Sequence, residues 1–136
     1  MTVTAHPLQP LVQKFGGHVA LDQEDREALL SLSRRTKDIP AGNYIVREFE
    51  RPNGCQVLVD GFAIRAKLST DGSRQIIAVQ LPGDALDLQH LYLDVADHNV
   101  IALTRVTVAE VGRSEMKALL ESRINLTRAF IVDNSV

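Results

Sequence analysis

Asp87, His90, Asp94 and His98 follow one another at i, i+3, i+7 and i+11. That spacing would line carboxylates and imidazoles along one face of a helix, a donor set that suits a metal ion. Asp97 and Asn99 read as loop residues, so such a face breaks before His98. A metal centre on a β-barrel would instead gather a His-x-His pair, a nearby glutamate and a distant histidine, and the chain has no His-x-His. Haem would need an axial histidine; His90 and His98 are the candidates, and both read as loop or surface histidines beside Asp94 and Asp97. Cys55 is the one cysteine. It can close no internal disulfide and cannot supply the several thiolates of an iron–sulfur cluster. It follows Asn53-Gly54 with no histidine near it in sequence, so it reads as a strand residue. Ser69 and Ser73 flank a turn without the Gly-x-Ser-x-Gly elbow of a serine nucleophile. These residues define no enzyme and assign no metal or cofactor.

The elements that would position such groups follow from periodicity. Leu21, Ala28, Leu29 and Leu32 recur at helical spacing behind Asp22, a good N-cap, with Glu24 and Asp25 in the first turn. Arg34, Arg35 and Lys37 read as the basic end of that helix. Before it, Pro7, Pro10 and Gly16-Gly17 suggest a loop-rich arm, holding His6 and His18, with at most a helical turn around 11–15. From Ile39 the pattern changes to short apolar runs separated by turns: Ala41-Gly42, Pro52-Asn53-Gly54, Asp60-Gly61, Asp71-Gly72 and Pro82-Gly83. Strands are predicted at 44–46, 56–59, 62–68, 74–80, 99–103 and 105–111, with a helical turn or two after Asp84. In the 62–68 run Phe62, Ile64, Ala66 and Leu68 share one face, leaving Arg65 and Lys67 on the other, read as facing solvent. Ser114 caps a helix through Leu120, and another begins near Leu126. Many short strands at this spacing predict a mainly β jelly roll, a double-stranded β-helix, flanked by helices.

At 136 residues with a net charge of −2, the chain fits one domain without the basic face that nucleic acid asks for. No apolar run reaches the roughly 18 residues of a membrane span. The expected location is the cytoplasm.

The order of elements, with PAG at 40–42, the two Asp-Gly turns and LPGD at 81–84, resembles the sensor domain of the CRP/FNR transcription regulators, which share the cyclic-nucleotide-binding barrel. The likeness covers residues 11–132. It implies a binding module in which a small effector in the barrel biases a following helix that pairs two subunits, ahead of a separate DNA-binding domain. On that reading residues 1–136 are a single sensor domain, 124–136 open the dimer helix with Leu126, Ala129, Phe130 and Ile131 on its seam, and no helix-turn-helix is present. The parent protein is expected to be a homodimer.

Family members that bind cyclic AMP carry a Gly-Glu pair after the Gly-Asp turn and, further on, an arginine with a small neighbour. Backbone groups cradle the phosphate, the glutamate holds the ribose hydroxyl and the arginine neutralises the anion. Continuing without gaps from Gly83-Asp84, this chain has Asp87-Leu88 and then His98-Asn99 at those places. A carboxylate repels the phosphate, leucine accepts no hydroxyl, and histidine makes no bidentate fork. The resemblance therefore implies a degenerate pocket at Gly83, Asp84, Asp87, Leu88, His98 and Asn99, without the usual grip on cyclic AMP or cyclic GMP. It holds either a different small effector or a filling of Leu86, Leu88 and Leu91, the second being preferred. The alternative from another class is a metal-binding, cupin-like jelly-roll protein.

Overall fold

The computed structural model describes residues 6–51, 54–92 and 95–135, with the side chains of residues 89, 90, 134 and 135 excepted. The expected turn at Pro52-Asn53 and the side chains of His90 and Asp94 lie outside the described residues. The elements run α1 (Gln9–His18), α2 (Gln23–Leu30), β1 (Arg34–Ile39), β2 (Tyr44–Val46), β3 (Gly54–Asp60), β4 (Ala63–Leu68), β5 (Arg74–Gln80), a 3-10 turn (Leu88–Tyr92), β6 (Asn99–Ala102), β7 (Val106–Gly112), α3 (Arg113–Ser122) and α4 (Ile124–Ser135).

Two antiparallel sheets form the barrel, ordered β1-β7-β3 and β2-β6-β4-β5. Their facing sides bury Leu58, Val106 and Val108 from the first and Val46, Ala63, Val100 and Ala102 from the second, with Leu86 and Ala96 between. The outward side of the first sheet offers Cys55, Val57, Ala109 and Val111 to the four helices, whose Leu11, Phe15, Leu29, Met116, Leu120, Leu126 and Ala129 complete a second core. Leu88 and Leu91 join this helical core. The jelly roll expected from the turn spacing is therefore present.

Three local expectations are corrected. The loop-rich arm is a full helix, because Pro10 falls at its start, where a missing N–H costs nothing. Leu11, Val12 and Phe15 then share its buried side. Arg34 to Ile39 is a strand instead of a helix end: β7 pairs with it along its length, and Arg35 and Lys37 are held by Glu110 at 3.2 and 3.1 Å. Ser114 lies inside α3, whose N-cap is Gly112. Arg65 also departs from its reading. It sits opposite Val100 on β6 and Ala78 on β5, hence on the inner face with Ala63. Its Nη2 donates to Gln80 at 3.3 Å, and its buried Nε has no partner among the described residues.

Candidate functional site

After β5 the chain turns at 81–84 and runs back along the open edge of β3. Leu58 N–H donates to Asp84 O, and Leu86 N–H to Gln56 O, at 2.9 and 2.8 Å. Gly83 makes this turn at φ 97°, and a Cβ there would meet Pro10 O at 2.7 Å. The backbone conformation and the close approach to α1 both require glycine. Asp84 caps the turn through Leu81 N–H and forms an ion pair with Lys14 of α1. Gly83 and Asp84 thus fasten the turn to the helical layer.

Asp87 is buried, at 2 % exposure, and accepts the Gln56 N–H at 2.8 Å. Its carboxylate satisfies a strand-edge donor. Burial pushes its pKa up to about 7, with Glu110 adding to the rise, against the opposing pull of the Gln56 N–H and the Arg113 charge. Leu88 is fully buried in the helical core and points away from the barrel interior; Leu86 is the leucine that enters it. His98 is buried with Nδ1 2.8 Å from Asp97 Oδ1 and Nε2 3.3 Å from Leu86 O. Each ring nitrogen thus faces an oxygen. Asn99 Oδ1 accepts the Glu48 N–H at 2.7 Å and holds the end of β2. The six expected pocket residues have different partners: Gly83, Asp84 and Leu88 serve the helical side, His98 and Asn99 anchor neighbouring backbone, and His98 meets the return segment at Leu86 O.

Asp87 alone among them borders a polar cavity of about 150 Å³ between the sheets at one mouth of the barrel. Its buried polar members are Gln56, Asp87 and, partly, Glu110; its exposed members include Arg47, Glu50 and Arg51, with Lys37 between. Glu110 accepts Gln56 Nε2 at 2.7 Å as well as Lys37 and Arg35, and these bonds, the Gln56 amide first, hold its carboxyl below the usual range. With Nε2 so committed, Gln56 Oε1 is left buried and without a partner among the described residues. Arg47 lies 4.3 Å above the Tyr44 ring. Arg105 pairs with Asp38 on the outside.

Gln56, Glu110 and Lys37 carried no motif. Their one signal was phase: Gln56 shares the side of Leu58, and Glu110 that of Val108, so each is a polar residue at an inward position of its strand. Among the described residues no three of His, Cys, Asp and Glu stand close enough to hold a metal ion. Cys55 is buried at 1 % exposure, and burial pushes its thiol well up, away from nucleophilic chemistry. No helix among the described residues is long and apolar enough to cross a membrane.

Residues 36–123 match the Cyclic nucleotide-binding domain family, and the chain belongs to it. Within that family it has the fold of CRP/FNR-like sensor domains. The sensor domain of the transcriptional regulator DNR from Pseudomonas aeruginosa superimposes with a TM-score of 0.73 at 16% identity, over 93% of this chain and 85% of that one. The N-terminal domain of a transcriptional regulator from Streptomyces coelicolor A3(2) gives 0.67 at 21% identity, over 96% and 87%. The Catabolite Activator Protein of Thermus thermophilus gives 0.73 at 16%, over 93% of this chain and 57% of that longer one. Curated proteins yield no match.

Proposed function

We propose that residues 1–136 form the effector-sensing domain of a cytoplasmic CRP/FNR-type transcription regulator, a binding module without catalytic activity of its own, and that its barrel does not grip cyclic AMP or cyclic GMP in the family's usual way. The observation that carries the second part is the fate of the phosphate positions. The Asp87 carboxylate occupies the Gln56 N–H, Leu88 belongs to the helical core, and His98 is committed to Leu86 O and Asp97. A phosphate placed there would meet a buried carboxyl and no guanidinium from the expected position. DNA contact and the main dimer seam would rest on a separate C-terminal region continuing from 124–136, and the assembled regulator would be a homodimer. Isothermal titration with cyclic AMP and cyclic GMP tests this directly. No heat of binding is expected in the micromolar range, and a micromolar Kd for either nucleotide would sink the reading.

A further inference from the structure

The polar cavity at the barrel mouth carries a chemical pattern that the fold alone does not require. Its buried end is rich in acceptors. Gln56 is 7 % exposed; among the described residues its buried Oε1 has no donor and the Asp87 carboxyl accepts only backbone donors, the Gln56 N–H and its own. An unmatched buried acceptor destabilises the fold unless something donates to it. Its exposed end is different, with Arg47 and Arg51 outnumbering Glu50 and with Lys37 already held by Glu110. With Asp87 ionised, as it would be beside a bound ammonium, Lys37, Arg47 and Arg51 balance Glu50, Asp87 and Glu110. A lining that is neutral overall but divided in this way complements a ligand that is itself neutral and divided. It favours neither a bare anion nor a bare cation. At about 150 Å³ the space is of the size that accepts a benzene-sized molecule.

We infer that this cavity binds a small amino-acid-like zwitterion, its ammonium donating to Gln56 Oε1 and Asp87 at the buried end and its carboxylate meeting Arg47 and Arg51 at the mouth. This inference rests on the sensing role proposed above and names the class of effector for it. An ammonium beside Asp87 stabilises the ionised carboxyl, so binding near neutral pH releases a proton from that group to the buffer. The charged and titratable groups facing Asp87 are Cys55 on β3, Glu110 on β7 and Arg113 at the start of α3. Affinity accordingly rises with pH through about 7.

Titration calorimetry on the whole chain, with glycine, L-alanine, L-serine and β-alanine as probes, decides the matter. Acetate and ethylammonium chloride, each carrying one of the two charges, serve as controls. At least one zwitterion is expected to bind with a submillimolar Kd, and each control at least about tenfold more weakly. Asp87→Asn, which keeps an acceptor for Gln56 N–H, should weaken the zwitterion about tenfold and abolish the buffer-dependent heat of proton release. Arg47→Gln, at an exposed position, should weaken it similarly without bearing on the fold. Absence of binding by all four zwitterions at about 10 mM, or acetate binding as tightly as a zwitterion, overturns the inference. Micromolar binding of cyclic AMP in the same experiment would instead overturn the sensing reading on which it rests. If neither nucleotide nor zwitterion binds, only the zwitterion site falls.

Discussion

Asp87 stands in the return segment that follows the Gly83-Asp84 turn, and its neighbourhood reverses the usual behaviour of a carboxyl group. Burial raises its pKa from 3.8 to about 7. Between those values the folded state holds a proton that the unfolded state has lost, so stability falls as pH rises, by up to about 1.4 kcal/mol per unit. The contribution is fully present below the unfolded value and is lost once pH passes the folded one. Asp87→Asn cannot titrate but retains the acceptor for Gln56 N–H. Urea unfolding from pH 4 to 8 should therefore show the wild type losing ground steadily to Asp87→Asn; parallel pH profiles would mean that Asp87 is ionised throughout. The LPGD turn ahead of Asp87 was legible in the sequence. The role of Asp87 was not, since it depends on Gln56 N–H, a backbone donor in a different strand with no side-chain signature.

At the scale of elements, Asp25 holds the helical layer in one piece. It completes a capping box with Asp22 at the start of α2 and also accepts Arg123 Nε at 2.6 Å and Asn125 Nδ2 at 2.9 Å from the junction of α3 and α4. Burial alone would push its pKa up, but Asn125, Arg123 and the Asp22 N–H together outweigh it and hold the carboxyl at about 2. Its stabilisation is present above the unfolded value of 3.8 and disappears as pH falls through about 2. Asp25→Ala removes the cap and leaves Arg123 and Asn125 without their acceptor. The expected loss is about 2–4 kcal/mol, a fall in Tm of roughly 10 °C at neutral pH, and thermal unfolding followed by circular dichroism reads it. The cap itself was visible in the sequence as Asp22 followed by Asp25. The α1 helix was obscured by its proline and glycine pair. β1 was obscured because RRTKDI buries almost nothing; its partner β7, far along the chain, makes it a strand. Local signals located the glycine turns well, and the structure they missed is imposed by distant partners.

On the whole molecule two exposed apolar surfaces compete as the place where a second copy would dock. One is β5, where Ile76, Ile77 and Val79 are exposed on a sheet edge. The pairing of β5 with β4 shifts between Arg65 and Ala66, leaving Ile77 as a bulge, and a bulged edge resists continuation by another strand. The other is α4. Leu126 and Ala129, expected on a dimer seam, are wholly buried in this chain's own core, and Phe130 packs against Tyr92 at 6.2 Å between ring centroids. Ile131 is exposed, and so is Ile124 one heptad earlier, with Val132 beside them. A heptad step between exposed isoleucines sets the two on one face of the helix, the spacing that an antiparallel or parallel partner helix packs against. In the proposed homodimer this chain's share of the seam would run through Ile124 and Ile131, while Leu126 and Ala129 are buried in the chain's own core. Ile131→Asp should leave the Tm within a few degrees, because the side chain is 56% exposed, and weaken self-association at least about tenfold. Leu126→Asp should instead unfold the helical layer. Sedimentation equilibrium across micromolar concentrations distinguishes these outcomes, and an unchanged monomer–dimer balance in Ile131→Asp would move the seam away from this face of α4.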